Sequence, residues 1–451
     1  MGGFIRLAHE YDEIATMSQA PIADRPDPDG QARALRERAK ALEALLDQYR
    51  EEGLNLDLTR GKPSDAQLDL LNGFDGVLMG DYRCEAGLDA RNYGPLDGLP
   101  EMKRLCAAYL DVAEDEVLAD GNSSLQLMYQ FVLWALHFGP DGKQSWNSEC
   151  NPVKFLCPVP GYDRHFALCE ELGIEMIPVP MTDTGPDMDT IERHLDTDPN
   201  IRGLWCVPKY SNPTGVTYSD ATVARIVALA KRAARSFRVL WDNAYAVHDL
   251  TDTPPRLANV MALAKAVGTA DSIVQFGSTS KISLAGAGIA FLGATSANLG
   301  PYLKRLSLMT IGPDKVNQLR HTRYFKNIEG IHAHMQKHAE ILKPKFARTL
   351  EHLNEALGGK GLGSWTVPQG GYFVSFTGLS GTASRIVALA ADAGVKLTPA
   401  GAAFPCGNDP DDAHIRLAPT FPSLPEVDKA MGVFVTCAEL VAIRRQLGAN
   451  D

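Results

Sequence analysis

Two residues with complementary chemistry, Asp242 and Lys281, each follow a short apolar run, in W-D-N-A-Y and G-S-T-S-K. The lysine amine can form an imine with an aldehyde and can be displaced from it by a substrate amine. A carboxylate at a buried strand end needs a partner, and a protonated pyridine nitrogen is one. The pair therefore indicates a site for pyridoxal phosphate (PLP), with Lys281 as the Schiff-base residue and Asp242 on the pyridine nitrogen. The simpler alternatives are a surface lysine and a salt bridge from Asp242 to a local arginine.

Two further side chains are suited to bind the ring oxygen of such a cofactor. Tyr245 follows Asp242 closely and carries a phenolic O–H, so it is predicted to be catalytic together with Asp242 and Lys281. Asn212, in S-N-P-T-G, can bond the same oxygen and stabilise its ionised form, which lowers the pKa of the imine. Asn-Pro-Thr-Gly also suits an ordinary turn, and that is the alternative for Asn212.

Small polar residues before a helical stretch indicate a phosphate site, because backbone N–H groups and hydroxyls converge at a helix N-terminus. A second group of serines lies just before Lys281. Serine is also an ordinary N-cap residue, which is the alternative for the first group. The candidate phosphate ligands are Asn122, Ser123, Ser124, Ser278 and Ser280.

A late arginine, Arg416 in H-I-R-L-A, is suited to hold a carboxylate. A guanidinium on a rigid strand can grip a substrate carboxylate with two parallel hydrogen bonds. The alternative is an exposed strand arginine.

The composition limits what the protein can be. The chain has 451 residues, of which 45% are hydrophobic and 22% charged, so it is predicted to be a soluble globular protein with two domains. The net charge of −11 argues against nonspecific binding to nucleic acid or to an anionic membrane. Neither a signal peptide nor a membrane span is indicated, which favours a cytoplasmic location.

The eight cysteines form no C-x-x-C pattern. They are predicted to be buried small side chains in a reducing compartment. A zinc site at Cys150 and Cys157 is disfavoured because further ligands at metal spacing are missing, and no metal is predicted.

Apolar strands alternate with helical stretches from about residue 115 to 295, which indicates an α/β fold with a mainly parallel sheet covered on both faces. Chemistry in such sheets gathers at the carboxyl ends of the strands. Asn212, Asp242 and Lys281 each follow a strand, so we expect them near one edge. The predicted strands are Val153–Cys157, Ile174–Val179, Gly203–Val207, Val239–Trp241, Ile273–Phe276 and Ile289–Leu292.

The remaining segments complete the predicted organisation. Helices are predicted at Ser219–Arg235 and over 330–360, the second leaving the large domain. The segments that follow have the mixed pattern of a smaller α+β domain. The predicted divisions are an N-terminal arm at 1–30, a small domain at 31–75 and 331–451, and a large cofactor-binding domain at 76–330.

The motifs S-N-P-T-G, D-N-A-Y, S-x-S-K and I-R-L-A resemble those of fold-type I PLP-dependent enzymes, specifically class I aminotransferases, from about residue 55 onward. The surrounding runs D-L-T-R-G-K-P, N-Y-G-P-L-D-G-L-P and S-T-S-K-I-S-L-A-G-A-G resemble the divergent aspartate aminotransferase subgroup related to MocR-type proteins. The resemblance implies a large domain with a mainly parallel seven-stranded sheet, a smaller α+β domain and PLP as cofactor.

The resemblance also implies roles for further residues. Tyr162 is implied to stack on the cofactor ring, and His165 to orient Asp242. Tyr93 is implied to reach the phosphate of the neighbouring subunit's cofactor, which predicts a homodimer with shared active sites. Without the resemblance, the simpler alternatives are a core tyrosine for Tyr162, a core histidine for His165 and a turn tyrosine for Tyr93. The residues implied to bind substrate are Arg416, Asn212 and Gly61.

One position departs from the family pattern. Many members carry an arginine for the cofactor phosphate in L-P-G-L-R-I-G, whereas this chain has L-A-G-A-G-I-A with Gly288 at that position. Residues 282–290 contain no cation, so amides, hydroxyls and a cation from elsewhere must balance the phosphate. The candidates for that cation are Arg60, Lys62, Arg91 and Lys209. The candidates for binding a distal substrate carboxylate are Arg60, Arg91, Arg323 and Lys209.

These observations predict an aminotransferase that moves the amino group between aspartate or glutamate and 2-oxoglutarate or oxaloacetate by a ping-pong mechanism. Another transaminase specificity and a C–S or β-eliminating lyase remain open, because they share the proton abstraction by Lys281. A PLP-sensing regulator is disfavoured, since only about 50 residues precede the resemblance and they show an acidic arm and one helix.

Overall fold

The computed structural model describes residues 28–448. The predicted arm at 1–30 therefore lies almost wholly outside the described residues. The helices are α1 (Pro28–Glu51), α2 (Asp65–Asp69), α3 (Pro100–Leu110), α4 (Ser124–Phe138), α5 (Trp146–Glu149), α6 (Asp163–Glu171), α7 (Met188–Thr197), α8 (Asp220–Ala228), α9 (Val260–Val267), α10 (Ser296–Leu306), α11 (Lys315–Phe325), α12 (Ile328–Leu357), α13 (Ala383–Asp392) and α14 (Leu424–Gln446). The strands are β1 (Leu56–Asp57), β2 (Val117–Ala119), β3 (Lys154–Val159), β4 (Glu175–Thr182), β5 (Gly185–Pro186), β6 (Ile201–Cys206), β7 (Arg238–Asp242), β8 (Ile273–Ser278), β9 (Ala290–Ala294), β10 (Gly363–Trp365), β11 (Val374–Gly378), β12 (Val395–Lys396) and β13 (His414–Leu417).

Eight strands form the central sheet, in the order β2-β9-β8-β7-β6-β3-β4-β5. The strands from β8 to β4 pair in parallel, whereas β2, β9 and β5 pair antiparallel with their neighbours. The predicted mainly parallel sheet is confirmed, and the six predicted strands are all present with ends within three residues. The two-residue strand β5 adds one strand to the seven expected, because the chain folds back on β4 at its edge.

The parallel strands are buried on both faces. In β7, Leu240 packs into a cluster with Phe276 on one face, while Val239 and Trp241 pack into a different cluster on the other. Such strands are continuous apolar runs, which is why the sequence reveals them. Side chains alternate along a strand, so Asp242 projects to the same face as Leu240.

A second α+β arrangement lies beyond the central sheet. Strands β10, β11 and β13 form an antiparallel sheet, and β1 pairs in parallel with β12. Their core includes Leu42 of α1, Phe346 of α12 and Phe434 of α14, all buried. This region corresponds to the predicted smaller domain, and the domain boundaries themselves stay a prediction.

Two predicted helices have different outcomes. The helix predicted over 330–360 is α12, whose N-cap Asn327 accepts a hydrogen bond from the amide of Gly330 at 3.0 Å. The helix predicted at Ser219–Arg235 is too long, because α8 ends at Ala228 and a short 3-10 helix follows at Leu229–Lys231. The chain turns there so that Phe237, fully buried, enters the core just before β7.

Seven of the eight cysteines are buried, as predicted. The prediction is wrong for Cys406, which is exposed in a short turn at Pro405–Gly407. None of the helices described between residues 28 and 448 combines the length and the apolar composition that a membrane span requires.

Candidate active site

The ends of three neighbouring parallel strands bring the predicted residues together. Asp242 is the last residue of β7, Lys281 follows the end of β8 by three residues, and Asn212 follows β6. All three line one cavity beside the sheet. The other residues that line this cavity are Ser124, Leu125, Met128, Tyr162, Val207, Ala244 and Tyr245.

The two carboxylate oxygens of Asp242 have different surroundings. Oδ2 lies 3.1 Å from Nε2 of His165. Oδ1 is buried and has no hydrogen-bond partner within residues 28–448. The imidazole of His165 stacks on Trp205, with ring centres 4.1 Å apart and planes 9° apart, so its position against Asp242 is fixed. One oxygen is therefore held by the protein, and the other remains an acceptor for a bound proton donor.

The amine of Lys281 lies in a buried setting, 5.0 Å from the ring centre of Tyr245, although part of the residue is exposed. Burial lowers the pKa of Lys281, with Arg416 lowering it further and Asp242 acting in the opposite direction. A lowered pKa increases the neutral fraction of the amine, which is its nucleophilic form. The alternative of an ordinary surface lysine does not fit this environment.

Tyr245 is 3% exposed and packs against the rings of His248, Tyr372 and Phe373. Burial raises the pKa of its phenol well above the ordinary value. The group therefore stays protonated and is a hydrogen-bond donor at neutral pH.

Arg416 is held from several sides on β13. Its Nη1 donates to Oδ1 of Asp163 at 2.9 Å and to Oδ1 of Asn212 at 3.2 Å. Its guanidinium carbon lies 5.0 Å from the ring centre of Phe373. At 7% exposure it is not an exposed strand arginine, and its Nε is buried without a partner in the described chain. The contact uses the oxygen of Asn212, so the amide nitrogen of Asn212 remains a donor.

The two predicted phosphate segments face each other. Ser280 Oγ donates to the carbonyl of Asn122 at 2.9 Å, and Nδ2 of Asn122 donates to the carbonyl of Gly286 at 3.0 Å. Ser123 caps α4 by accepting from the amide of Gln126 at 3.4 Å, so its N-cap role is present. The N-terminus of this 15-residue helix is a favourable place for an anion. The other two candidates are Ser124, at the start of α4, and Ser278, at the end of β8.

Gly288 has a steric reason to lack a side chain. A Cβ atom there would lie 2.9 Å from the backbone nitrogen of Ser280 and 3.1 Å from its Cα. Contacts this short require the backbone of Ser280 to move, so only glycine fits without a shift. An arginine at this position is therefore incompatible with the observed loop.

Most of the candidate cations are engaged elsewhere. The ammonium of Lys62 lies 3.6 Å from the ring centre of Phe421. Arg60 is exposed and forms no salt bridge with any residue of 28–448. Its neighbour Gly61 packs against Phe373, since a Cβ on Gly61 would lie 2.5 Å from Cζ of that ring. The other three candidates form salt bridges with carboxylates: Arg91 with Asp89, Arg323 with Asp81 and Lys209 with Asp249.

Tyr93 lies on an exposed apolar surface. Its side chain is 78% exposed, and Leu308 and Ile311 are 85% and 64% exposed. The two segments are adjacent, because a Cβ on Gly312 would lie 3.5 Å from the carbonyl oxygen of Gly94. We call this the Tyr93 surface, made of Tyr93, Leu308, Met309 and Ile311.

Sequence reasoning missed three residues that position the predicted ones. Trp205 stacks on His165, Phe373 packs against the guanidinium of Arg416, and Asp163 bonds that guanidinium. The only sequence signal was the position of Asp163 next to Tyr162. The tyrosine itself packs edge-on against His165, with ring centres 5.0 Å apart.

The donor set fits PLP. The unpartnered Oδ1 of Asp242 suits a protonated ring nitrogen, and the amine of Lys281 lines the same cavity. The unpartnered Nε of Arg416 lies on a guanidinium that contacts Asn212, another lining residue, and suits a substrate carboxylate.

A mainly parallel sheet with these residues at its strand ends is the arrangement of a fold-type I aminotransferase. The comparisons with known proteins agree with it. The sequence profile of the family described as aspartate amino-transferase matches residues 31–450. The chain belongs to this family and is an aminotransferase. Its relation to MocR-type proteins stays a prediction.

Relatives with assigned names cover nearly the whole chain. It is 46% identical over 399 residues to the aspartate aminotransferase of Corynebacterium glutamicum, covering 88% of this chain and 92% of that protein. It is 51% identical over 400 residues to a Mycolicibacterium smegmatis protein described as an aminotransferase, covering 88% and 93%.

Solved structures share the fold. An aspartate transaminase from Corynebacterium glutamicum superimposes with a TM-score of 0.87 at 43% identity, covering 92% of this chain and 97% of that chain. LysN, an α-aminoadipate aminotransferase from Thermus thermophilus complexed with N-(5'-phosphopyridoxyl)-L-leucine, superimposes with a TM-score of 0.69 at 20% identity, covering 92% and 97%. Because its identity to LysN is only 20%, this likeness shows the fold alone.

Proposed function

We propose that this aminotransferase is PLP-dependent and moves the amino group between aspartate or glutamate and 2-oxoglutarate or oxaloacetate by a ping-pong mechanism. The observation that carries the cofactor assignment is the unpartnered Oδ1 of Asp242 in the cavity that Lys281 lines. The dicarboxylate preference is supported by the family and by the name of the Corynebacterium glutamicum relative.

Asp242 holds the ring nitrogen in this proposal. PLP, when bound, supplies an aldehyde carbon and an electron-withdrawing ring. Oδ1 of Asp242 would accept the ring N–H, while the contact from His165 to Oδ2 keeps the carboxylate oriented. Tyr245 and the Nδ2 of Asn212 would donate to the ring oxygen. Both line the same cavity and carry an O–H or N–H group that is able to donate.

Lys281 moves the proton. Its amine would hold the cofactor through the aldehyde carbon, and the amino group of a substrate would take its place there. Nζ would then be free to take the proton from the substrate Cα and to hold it for return during the transfer. The lowered pKa of Lys281 supports this role, since burial increases the neutral fraction of the amine, and only the neutral amine can act as a base.

Arg416 binds the substrate α-carboxylate. Its Nε is free to donate, while Asp163 and Asn212 hold Nη1 in place. The fixed guanidinium sets the orientation of the Cα–H bond toward Lys281. Prior ordering of this kind reduces the entropy lost on binding.

Arg60 is the candidate that the structure supports best for the distal carboxylate. Unlike Arg91, Arg323 and Lys209, it is not paired with a carboxylate of the described chain. Its neighbour Gly61 packs against Phe373, the ring that also contacts the guanidinium of Arg416. Arg60→Gln should raise KM for aspartate and leave KM for alanine unchanged. Equal effects on both substrates would remove Arg60 from this role.

The Tyr93 surface supports a homodimer with shared active sites. Several large apolar side chains exposed side by side are typical of a surface that binds a partner. Ile311→Asp is expected to give monomers in light scattering, with loss of activity, because Tyr93 then no longer reaches the partner's site. A wild-type protein that is monomeric at working concentration would contradict the proposal.

The substrate is tested by half-reactions. The PLP-loaded protein is mixed separately with aspartate, glutamate, alanine and phenylalanine, and the absorbance of the cofactor is followed as it becomes the pyridoxamine form. We expect conversion with both dicarboxylates and slower conversion with the others. No conversion with either dicarboxylate would overturn the substrate assignment, and pyruvate plus ammonia from a β-substituted amino acid would favour a lyase.

A further inference from the structure

Buried polar side chains converge on the backbone that carries Lys281. The hydroxyl of Tyr372 donates to the carbonyl oxygen of Lys281 at 3.3 Å. The amide nitrogen of Gln67, on α2, lies 3.2 Å from that hydroxyl and 2.9 Å from Nδ1 of His338 on α12. Gln67, Tyr372 and His338 are each at most 1% exposed. A continuous run of polar contacts thus joins two helices to the lysine segment inside the protein.

The orientation of the Gln67 amide is fixed at its other end. The backbone N–H of Ser64 donates to Oε1 of Gln67 at 3.0 Å, and the Ser64 hydroxyl lies 3.3 Å from the same oxygen. The amide NH2 group must then face Tyr372 and His338, and both accept from it. The proton of the Tyr372 hydroxyl is therefore directed to the carbonyl of Lys281.

The same orientation determines the protonation of two histidines. Nε2 of His334 lies 3.0 Å from Nε2 of His338 and 3.0 Å from the carbonyl oxygen of Ile282. Burial lowers the pKa of both rings, that of His338 to about 3, so both are neutral near pH 7. Because Nδ1 of His338 accepts from Gln67, its proton is on Nε2 and is donated to His334. The His334 nitrogen then has no proton for Ile282. With Gln67 in this orientation, Tyr372 donates to the carbonyl of Lys281, while His334 accepts from His338.

We propose that Gln67 is a positioning residue for the amine of Lys281. It directs the hydroxyl of Tyr372 to the Lys281 carbonyl and so fixes the backbone from which the lysine side chain reaches the cavity. His248 contacts the same carbonyl through Nε2 at 3.3 Å. The inference rests on the proposed function, because it takes the Lys281 amine as the reacting group. Displacing a reacting group by about 1 Å lowers rates by about 10²-fold.

Two substitutions test the role of Gln67 with little change in shape. Gln67→Glu provides two acceptor oxygens, so Ser64 keeps its acceptor while the Tyr372 hydroxyl turns away from Lys281. Tyr372→Phe removes the hydroxyl and leaves the ring. The matched control is Tyr302→Phe on α10, which removes a buried hydroxyl that donates to Gln130 at 2.8 Å outside the site.

The deciding measurement needs no substrate. In the PLP-loaded enzyme, the absorbance of the cofactor changes with pH, and the midpoint of that change reports protonation of the nitrogen of Lys281. The midpoint depends on how far this nitrogen lies from the charges of Asp242 and Arg416. We expect a shifted midpoint in Gln67→Glu and Tyr372→Phe, and the wild-type midpoint in Tyr302→Phe. With an amino acid that reacts, the single-turnover rate should fall by about 10-fold or more, with a larger α-deuterium isotope effect and little change in KM.

If Tyr372→Phe has the same pH midpoint as Tyr302→Phe, the proposal is wrong. The same holds if Tyr372→Phe lowers the unfolding temperature and leaves the pH midpoint unchanged. If Gln67→Glu does not fold, Tyr372→Phe decides alone. A wild-type enzyme that converts no dicarboxylate counts against the proposed substrate, while the midpoint still tests the role of Gln67.

Discussion

His165 bonds one oxygen of Asp242, at 3.1 Å, and leaves the other without a partner in the described chain. The stack of His165 on Trp205 prevents the imidazole from turning toward the second oxygen without losing that contact. The protein thus presents a carboxylate that is oriented but only half satisfied. Such a group gains free energy when a cationic N–H donor binds, because an unpaired buried acceptor is unfavourable by about 1–3 kcal/mol.

Asp242→Asn should slow the half-reaction by about 10- to 100-fold, because a charge-assisted hydrogen bond contributes about 1.5–3 kcal/mol. Stopped-flow absorbance measures the rate. The control is Glu439→Gln, which also removes a buried carboxylate but lies on α14, paired with Arg38 and Lys360. An Asp242→Asn rate equal to that of this control would contradict the role of Asp242.

The residues at the strand ends could be predicted because two simple patterns coincide. Asn212, Asp242 and Lys281 follow buried strands that are continuous apolar runs, and neighbouring parallel strands bring their carboxyl ends to one edge. Both patterns are local in sequence. The mainly parallel sheet and the meeting of these three residues at one edge therefore followed from short segments.

Long-range contacts could not be predicted in this way. Arg416 meets Asp163 and Asn212 across 253 and 204 residues, and no local pattern encodes those distances. The stack of His165 on Trp205 joins α6 to β6 and is likewise a product of packing.

The candidate cations show a different limit. Lys209 was a candidate for binding an anion because of its charge and its position in the sequence. Its salt bridge with Asp249 depends on how two loops meet, which the sequence does not show. The partner of Arg91, by contrast, is Asp89, two residues away, and that pairing was available from the sequence. The absence of an arginine at Gly288 was visible in the sequence, whereas the contact with Ser280 that explains it is visible only in the fold.

Arg416→Lys should raise KM for the amino acid by about 10- to 100-fold, since lysine lacks the planar fork that grips a carboxylate. Steady-state kinetics with both substrates measures the change. Arg202→Lys is the matched control, because Arg202 is also buried and paired, with Glu149, away from the cavity. A KM that rises equally in both variants would show that the effect is structural.

Gly288→Ala should weaken cofactor retention. The added methyl would lie 2.9 Å from the backbone nitrogen of Ser280, so the loop must shift at an expected cost of about 1–3 kcal/mol. Gly286→Ala in the same loop is the control, since a Cβ there has nothing within 4 Å. Loss of PLP on dialysis, followed by absorbance, compares the two. Equal retention would mean that Ser280 does not help to hold the phosphate.

The pH dependence of cofactor attachment tests the electrostatics around Lys281. Burial and Arg416 lower the pKa of the amine from its ordinary value of 10.5, while Asp242 raises it. Only the neutral amine attacks an aldehyde, so in the cofactor-free protein the rate of PLP attachment should rise with pH around a midpoint below 10.5. Asp242→Asn removes the group that raises the pKa, so its midpoint should fall further. Arg416→Met removes a group that lowers the pKa, so its midpoint should rise. Shifts of the same sign in both variants would show that general disturbance of the site, rather than these two charges, controls the amine.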